Sequence, residues 1–406
     1  MSRRLFLHEM NTSDSLFYLR FPRKDCDALL AEGIDDCYEV KTGHTVNWEE
    51  LRQWMSNRKD WLFGWVGYDV RRSLENFAGE DLEQSDFPQL FLFSPKNIFK
   101  IRGGVVDVVK GNWHAELDHW LKMDAVAAED RVELLPRFTA EEYEYHFAEL
   151  KREIALGNIY EVNYCVPFQA RGYLTDATSV WKRIYNRTEA PFSAYARRNS
   201  HHVMCASPER YMRREGNRII SQPIKGTTRR GGSEEEDNLL RSQLRLSEKE
   251  RAENVMIVDL VRNDLSRIAK RSSVAVDELF GVHTFKTVHH LISTVSCEVE
   301  PTTSWVDVIQ ATFPMGSMTG APKLSAMQLI SRHEKTERGV YSGSIGYIEP
   351  SGDFDFNVVI RSVQYDDNDG LMSCHVGGAI TAQSNLEEEY QECLLKAKAV
   401  LGALLG

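Results

Sequence analysis

Residues 250–265 read ERAENVMIVDLVRNDL, and this stretch is the most strongly helical part of the sequence. A capping box, Ser247-x-x-Glu250, precedes it, so the pattern predicts a helix over residues 247–266. A strand-like segment lies before this helix at residues 219–224, and two alternating segments follow it at 341–348 and 356–364. Strands and helices are therefore mixed without strict alternation, which favours an α+β fold with antiparallel sheets.

Further elements are predicted toward both ends of the chain. Residues 1–120 are rich in aromatic side chains and in short strand-like runs. Three more helices are expected, at residues 139–156 with a capping box, at 322–333 with a proline in the first turn, and from a Ser384 cap to the C-terminus. The change in character near residue 130 divides the chain into an N-terminal segment, residues 1–125, and a C-terminal region, residues 140–406.

The composition is that of a globular protein with an acidic balance. Of 406 residues, 42% are hydrophobic and 27% are charged, which excludes a disordered or fibrous chain. Lysine and arginine number 49 against 60 aspartates and glutamates, a formal net charge of -11, which argues against binding to nucleic acid or to anionic membranes. No apolar run reaches the ~18 residues of a membrane-spanning helix. Seven scattered cysteines without a Cys-x-x-Cys pair are typical of reduced thiols in a cytoplasmic protein.

Two predicted helices each carry a pair of glutamates on one face. Glu250 and Glu253 are three residues apart, as are Glu389 and Glu392, and Lys396 follows four residues later. Hard cations such as Mg²⁺ prefer carboxylate oxygens, so a metal site between two such helices is one interpretation. A solvated surface, with the first glutamate closing its capping box, is the other.

Lys225 and Glu209 are candidates for covalent and acid catalysis. Lys225 lies between an isoleucine and a glycine at the end of a predicted strand. A nucleophilic amine needs its pKa lowered by burial or by a nearby cation, and the alternative is an ordinary loop lysine. Glu209 lies in a tight Ser-Pro-Glu-Arg turn, where a general acid and a plain salt bridge are both open.

Two glycine-rich stretches are candidate ligand loops. Residues 316–323, GSMTGAPK, open a predicted helix, whose free N–H groups suit a carboxylate or phosphate. This stretch does not fit the P-loop pattern, because Lys323 does not follow a glycine. Residues 376–379, VGGA, end a predicted strand, where glycine permits either close approach to a ligand or a turn.

Taken together, these motifs resemble the chorismate-utilising enzymes, a family that includes anthranilate, aminodeoxychorismate, isochorismate and salicylate synthases. The resemblance covers roughly residues 140–404, with one further stretch in the N-terminal segment, and its stretches keep the family's order and spacing. It implies that residues 140–406 form a chorismate-binding catalytic region. The stretches are GWVGYDV (64–70), IYEVNY (159–164), SPER (207–210), PIKGT (223–227), ERAENVMIVDLVRNDL (250–265), HHLIS (289–293), GSMTGAPK (316–323), YSGSIGY (341–347), NVVIRS (357–362), GGAI (377–380) and EYQECLLKAKAVL (389–401). The fold that the family implies is an anthranilate-synthase-like sandwich of two large antiparallel sheets packed face to face, with outer helices.

The resemblance implies roles for individual residues. Glu253 and Glu392 match Mg²⁺ ligands, with Glu250 and Glu389 beside them, and Glu209 matches the acid that protonates the departing C4 hydroxyl of chorismate. Tyr341 and Arg361 match the residues that bind the enolpyruvyl carboxylate of chorismate, and Lys396, Gly377 and Gly378 lie nearby. Thr319 and Gly320 match the substrate loop, and His290 matches the histidine beside the ring.

The residue at position 225 separates the members of the family. The PIKGT motif with Lys225 resembles that of the aminodeoxychorismate synthases, in which the lysine is thought to attack ring C2 before ammonia attacks C4. Anthranilate synthases have alanine in place of this lysine. The resemblance therefore implies component I of an aminodeoxychorismate synthase, in p-aminobenzoate and folate synthesis. Glu161 departs from the usual glutamine, and isochorismate and salicylate synthases have a lysine there. The alternatives are anthranilate synthase component I and a catalytically silent chorismate-binding subunit.

A partner protein is expected to supply ammonia. No cysteine of this sequence lies in a Gly-x-Cys-x-Gly elbow with a downstream His-x-Glu, the pattern of a glutaminase. Ammonia is therefore expected from solution or from a separate glutamine amidotransferase subunit. The Leu-Leu-Glu-Ser motif that lines the tryptophan site of related enzymes is also missing from this sequence, so a tryptophan-binding feedback site is not expected.

Overall fold

Antiparallel strand pairings connect the described part of the molecule from end to end. The structure is a computed structural model that describes residues 14–74, 87–115, 117, 121 and 132–405. Two long strands, β2 (Ala28–Val40) and β4 (Leu90–Arg102), pair along their whole length, with a register shift between Ile34 and Asp36. One end of β2 pairs with the strands of a first sheet, and one end of β4 pairs with those of a second. The two sheets are thus continuous through this pair.

Each sheet is built from strands of both the N-terminal segment and the catalytic region. The first sheet contains β1 (Ser15–Arg20), β8 (Phe192–Arg198), β9 (His201–Ser207), β18 (Ser362–Asp366), β19 (Leu371–Thr381) and β7 (Glu161–Arg171), with β6 (Leu135–Pro136) and β15 (Gly320–Ala321) at its edge. The second sheet contains β3 (Leu62–Val66), β16 (Ser344–Ile348), β17 (Phe354–Asn357), β10 (Arg210–Glu215), β11 (Arg218–Gln222), β12 (Ile224–Arg229), β14 (Val288–Glu298) and β13 (Ala275–Thr284), and β5 (Val105–Lys110) pairs with β4.

The helices lie on the outer faces of these sheets. Those that pack against the first sheet are α2 (Ala140–Ala155), α3 (Ala177–Thr188), α7 (Lys323–His333) and α8 (Leu386–Leu405). Those that pack against the second are α1 (Trp48–Ser56), α5 (Glu248–Ser266) and α6 (Trp305–Thr312), while α4 (Glu234–Leu246) contacts β12 and β13. No helix in the described ranges is both long enough and apolar enough to cross a membrane.

An aromatic core holds the two sheets together. Phe17 of β1 stacks on Trp65 of β3 with ring centroids 5.6 Å apart, although three strand spacings separate them along the sheet. Phe21 and Tyr347 make a second contact between the sheets at 6.2 Å. Side chains from β1, β8 and β9 and from β3, β4 and β16 share this cluster. The sheets therefore pack face to face with helices outside, which confirms the predicted fold class.

The predicted elements were largely found, with three corrections. The helix over 139–156 starts with the expected capping box, and the helix over 247–266 is α5. The residue that caps α8 is not Ser384 but Asn385, whose side chain accepts the N–H groups of Glu387 and Glu388. Pro322 is likewise the cap of α7 rather than part of its first turn.

The third correction concerns residues 356–364, which were predicted as one strand. They belong to two strands, because β17 pairs within the second sheet and β18 within the first. The chain crosses between the sheets over residues 358–361, and Arg361 has a φ of +51° at this crossing. A side chain with positive φ is uncommon, so the crossing places Arg361 in a conformation that alternation alone does not predict.

Candidate active site

Strands β7, β12 and β19, helices α5 and α8 and the loop at residues 316–320 surround one site. Lys225, the second residue of β12, has a side chain only 11% exposed. Its Nζ donates a hydrogen bond to Oε1 of Glu161 at 2.7 Å, and Glu161 is itself 1% exposed. Lys225 is therefore a buried strand residue in an ion pair, and the alternative of a solvated loop lysine is wrong.

The charge on Lys225 differs from the expectation for a resting nucleophile. Burial lowers the pKa of Lys225, but the negative charges of Glu161 and Glu253 outweigh burial, and the pKa is raised above its ordinary value. The amine is thus protonated in the substrate-free site. A proton has to leave Lys225 before its lone pair can attack carbon.

Glu209 has the properties of a neutral carboxylic acid. It is 5% exposed, and burial raises its pKa to about 7, against the opposing effects of a Ser317 hydrogen bond and the positive charge of Lys225. The Ser317 hydroxyl donates to Oε1 of Glu209 at 2.8 Å. No salt bridge joins Glu209 to any described residue within 4 Å, so the salt-bridge alternative is wrong and a proton donor at neutral pH is supported.

Arg361 supplies positive charge without a protein partner. Burial lowers its pKa, partly offset by the charge of Glu209, and among the described residues none forms a hydrogen bond or ion pair with its guanidinium. A largely buried, unpaired guanidinium is suited to bidentate binding of a carboxylate ligand. His290 lies near it; burial and the charge of Arg361 lower the pKa of His290 to about 3, so this imidazole is neutral. Its Nδ1 lies 2.8 Å from the Thr227 hydroxyl.

The loop that carries Thr319 and Gly320 is fastened to β7. Thr319 is fully buried, its carbonyl accepts the N–H of Asn163, and Gly320 pairs with Val162. A Cβ on Gly320 would lie 2.2 Å from the carbonyl oxygen of Glu161, and the glycine has a φ of +143°. Only glycine therefore allows the loop to approach the strand that carries Glu161 this closely.

Tyr341 and the two glycines of β19 lie next to β7. Tyr341 is buried, its hydroxyl is 3.8 Å from the Cys165 sulfur, and its ring stacks on His375 of β19 at 5.3 Å. Gly377 pairs with Cys165, and Gly378 pairs with the preceding residue of β7. Residues 377–378 thus lie within β19, which continues to Thr381, and the prediction that the VGGA stretch ends a strand is wrong.

Glu250 and Glu253 of α5 are partly buried and lie near β12, which carries Lys225. The side chain of Ser247 accepts a hydrogen bond from the N–H of Glu250 at 3.4 Å. The Oε2 atom of Glu250 lies 2.8 Å from the position that a Cβ on Gly226 would occupy. The reciprocal half of the predicted capping box is therefore replaced by a contact next to Lys225. Burial raises the pKa of Glu250, and burial together with the charge of Glu250 raises that of Glu253 to about 7.

The glutamates of α8 differ from each other. Glu389 is buried, its Oε2 lies 2.9 Å from the position of a Cβ on Gly378, and burial raises its pKa. Glu392 is half exposed, and Lys396 lowers its pKa below the usual value despite partial burial. The Nζ of Lys396 contacts Glu392 at 2.7 Å and donates to the carbonyl of Gly377 at 2.8 Å.

The four glutamates of α5 and α8 offer the oxygen ligands that a hard cation prefers, but they are not close enough together to form a metal site as they stand. Across the described ranges no three carboxylate, imidazole or thiolate side chains are grouped closely enough to hold a metal ion. All four glutamates are nevertheless oxygen donors, and Glu392 influences the pKa of both Glu250 and Glu389, so the two helices face each other across the site. Glu392 faces Lys396 in this arrangement.

A buried ion pair that the sequence reasoning missed fixes the site's framework. Arg338 is 1% exposed and donates to both oxygens of Glu334, at 2.9 and 2.6 Å. It also donates to the carbonyls of Met318 in the loop and of Asn163 in β7, at 2.8 and 2.9 Å. The only sequence signal was a glutamate four residues before an arginine next to the YSGSIGY stretch. Ser317, the donor to Glu209, lies within the GSMTGAPK stretch, where no sequence pattern distinguishes it from its neighbours.

The site and fold agree with a family match over most of the chain. Residues 18–402 match the model of the chorismate binding enzymes. Because this match covers more than half of the chain, the protein belongs to the chorismate-binding enzyme family, as the motifs predicted.

Individual relatives carry two different activities in their names. Aminodeoxychorismate synthase component 1 of Salmonella typhimurium is 40% identical over 263 residues, 65% of this chain and 57% of that protein. Anthranilate synthase component 1 of Aquifex aeolicus is 38% identical over 267 residues, 66% of this chain and 53% of that protein. The match spans just over half of each relative, and the identities are nearly equal, so residue 225 carries more weight than overall identity in choosing between them.

The fold is also that of a solved enzyme. The crystal structure of anthranilate synthase component I from Streptococcus pneumoniae matches with a TM-score of 0.78 and 23% identity, over 92% of this chain and 91% of that one. At this identity the similarity concerns the fold, an anthranilate-synthase-like α+β sandwich.

Proposed function

We propose that the protein converts chorismate and ammonia to 4-amino-4-deoxychorismate, as component I of an aminodeoxychorismate synthase in p-aminobenzoate and folate synthesis. The observation that carries this proposal is Lys225, a buried amine in the same site as Glu209, a buried acid. Anthranilate formation requires no lysine nucleophile, and a silent binding subunit requires no acid with a pKa near neutrality. The combination of the two groups therefore favours the amine-linked route.

Substrate binding follows from the charges of the site. Chorismate carries two carboxylates, so its recognition requires local positive charge in an acidic protein. The unpaired guanidinium of Arg361 and the hydroxyl of Tyr341 would bind the enolpyruvyl carboxylate, with Lys396 and the backbone at residues 377–378 nearby. Thr319 and Gly320 would form the wall of the loop, and neutral His290 would lie beside the ring without adding charge.

The chemistry is a substitution assisted by an acid. The amine of Lys225 attacks ring C2, the two ring double bonds shift, and the C4–O bond breaks. Glu209 gives its proton to the departing hydroxyl, which leaves as water, because hydroxide is a poor leaving group. Ammonia then attacks C4, the double bonds shift back, and the amine of Lys225 leaves C2.

Mg²⁺ is part of the proposal as a cofactor. Glu253 and Glu392, with Glu250 and Glu389 beside them, would hold it, and when bound it would neutralise the ring carboxylate of chorismate. Glu392 would then have to release Lys396, its present partner. Lys396 would in that case become available to the substrate.

Ammonia is proposed to come from a glutamine amidotransferase subunit. The word component in the relative's name refers to a two-part enzyme, which is consistent with a partner for that protein. Free ammonium at high concentration should replace this subunit in an assay of the isolated chain.

The test is product analysis with chorismate, Mg²⁺ and ammonium, followed by liquid chromatography and mass spectrometry. The expected product is 4-amino-4-deoxychorismate, and Lys225→Ala should abolish it because the covalent intermediate cannot form. Lys110→Ala is a matched control, since Lys110 is also in an ion pair but lies on β5, outside the site. This control should retain activity.

Two outcomes contradict the proposal. Anthranilate from the wild-type protein would assign it to the alternative activity, and no product at all would support a silent binding subunit. Anthranilate from Lys225→Ala alone is compatible with the proposal, because ammonia could then reach C2 directly.

A further inference from the structure

Glu161 is held rigidly at the point where the nucleophile lies. It is the first residue of β7 and is paired with Ala321 on one side and Thr381 on the other. Its Oε1 accepts the Lys225 hydrogen bond at 2.7 Å, while its buried Oε2 has no hydrogen-bond partner among the described residues. A buried carboxylate oxygen without a partner is costly, so this oxygen calls for an explanation beyond packing.

The proton of Lys225 has few possible destinations. Attack on C2 requires the neutral amine, yet Lys225 is protonated in the resting site. Glu209 cannot accept this proton in the same step, because it has to donate its own to the leaving hydroxyl. Within the described part of the chain, Glu161 is the one side chain hydrogen-bonded to Lys225.

We propose that Glu161 is a catalytic residue, the general base that takes the proton of Lys225 and returns it at the end of each turnover. This inference rests on the proposed function. In the first half, a proton passes from Nζ of Lys225 to Glu161, and the freed lone pair forms the bond to C2. The C4–O bond breaks as the hydroxyl takes the Glu209 proton, which leaves a secondary ammonium on C2, a protonated Glu161 and an ionised Glu209.

The second half restores both acids. Ammonia forms the bond to C4, the bond between C2 and Nζ breaks, and its electron pair returns to Lys225. The new ammonium group on C4 gives one proton to Glu209, and Glu161 returns its proton to Lys225. The sum is chorismate plus ammonia giving 4-amino-4-deoxychorismate plus water. The unpartnered Oε2 lets Glu161 carry a proton without breaking another hydrogen bond.

The test follows adduct formation on Lys225 in single turnovers without ammonia, with intact-protein mass spectrometry after acid quench. Glu161→Gln keeps the size of the side chain and an oxygen facing the amine, but it cannot accept a proton. At pH 7 the variant should form the adduct ~10²–10⁴-fold more slowly than wild type, the usual contribution of general acid–base catalysis. The ratio of the two rates should shrink by up to about tenfold per pH unit as pH rises, because free amine then forms without a base.

Glu209 is present in both proteins, so its own titration affects both rates alike and cancels in the ratio of the wild-type rate to the Glu161→Gln rate. A variant that forms the adduct as fast as wild type at pH 7, or faster, would make Glu161 a mere counter-ion and overturn the inference. A ratio that does not change between pH 7 and 9 would overturn it as well. No adduct and no product in the wild type would instead overturn the proposed function, and the inference with it.

Glu161→Ala gives a second test if Glu161→Gln does not fold. The truncated site leaves space for formate, a small carboxylate that can act as an external base. Formate should restore adduct formation in Glu161→Ala in proportion to its concentration, and should restore nothing in Lys225→Ala. Failure of formate to accelerate Glu161→Ala would count against a base at this position.

Discussion

At the scale of single residues, the site holds two proton-carrying groups that both keep a proton near neutral pH before substrate binds. Glu209 is a carboxyl whose pKa burial raises to about 7, so it holds a proton near neutrality. Lys225 is a buried amine that neighbouring carboxylates keep charged. The acid is therefore ready to donate its proton, whereas the nucleophile still has to lose one. The reaction can begin only after substrate has bound and a proton has left Lys225.

Glu209→Gln should lower kcat by ~10²–10⁴ while changing KM much less, because it removes a proton donor and keeps the shape of the side chain. The wild-type kcat/KM should fall as pH rises above about 7, since ionised Glu209 cannot donate. The variant should lack this fall. Steady-state kinetics between pH 6 and 9 measure both quantities.

A rise in KM with unchanged kcat would make Glu209 a binding residue instead. Ser317 provides the natural control, because Ser317→Ala removes the hydrogen bond that its hydroxyl donates to Oε1 of Glu209 and leaves the acid in place. Its effect should be smaller than that of Glu209→Gln, and it should keep the fall above pH 7.

At the scale of elements, helices α5 and α8 supply the glutamates but their charges are not equivalent. Glu250, Glu253 and Glu389 have raised pKa values, chiefly from burial, whereas Glu392 is neutralised by Lys396 and its pKa is lowered. Besides burial, the charge of Glu392 raises the pKa of Glu250 and of Glu389, and the charge of Glu250 raises that of Glu253. Glu392 itself already has a cation as partner, which is the place that Mg²⁺ would take in the proposed holoenzyme.

Glu392→Gln should remove the rise in melting temperature that Mg²⁺ gives the wild type, and it should remove activity. Without metal the variant should differ from wild type by no more than about 0.5 kcal/mol, because a half-exposed i,i+4 ion pair contributes little. Thermal melts with and without Mg²⁺ measure these effects. Glu388→Gln, an exposed glutamate of the same helix, is the matched control and should keep the full response.

A Mg²⁺ response that survives in Glu392→Gln would take this residue out of the metal site. Equal loss in Glu388→Gln would show that charge on α8, rather than one ligand, causes the effect.

At the scale of the whole molecule, the N-terminal segment and the catalytic region build the same two sheets. Strand β1 pairs with β8, and β3 pairs with β16, so each sheet joins distant parts of the chain. The aromatic layer between the sheets lies on the faces opposite the outer helices. Stability and chemistry are therefore separated in space, which allows one to be changed without the other.

Phe17→Ala should lower the free energy of unfolding by about 3–5 kcal/mol, because it leaves a cavity between the sheets at a residue with no exposed surface. Below the melting temperature, kcat should be close to that of wild type, since the core cluster that contains Phe17 includes no described residue of the site. Urea unfolding and activity at low temperature test the two parts. Val108→Ala, at an exposed position, should change stability by about 0.5 kcal/mol or less.

A strong loss of kcat in folded Phe17→Ala would show that the two layers are coupled. An unfolding free energy within about 1 kcal/mol of wild type would mean that the two sheets repack around the missing ring.

The sequence by itself determined the family and the fold class, and it predicted candidate residues for the site. These follow from local patterns: helical spacing of glutamates, capping residues, and motifs whose order is preserved along the chain. A helix such as α5 depends on residues within a few positions of each other, so the sequence pattern alone predicts it.

Only the tertiary structure decided how the charges of the site are paired. Burial and contacts between residues far apart in the sequence set these properties: Lys225 meets Glu161, and Arg338 reaches both the loop and β7. The division of residues 356–364 between two sheets has the same origin, because hydrogen-bond partners rather than alternation determine which sheet a strand joins. A pKa depends on the dielectric and the charges around a group, and these exist only once the chain has folded.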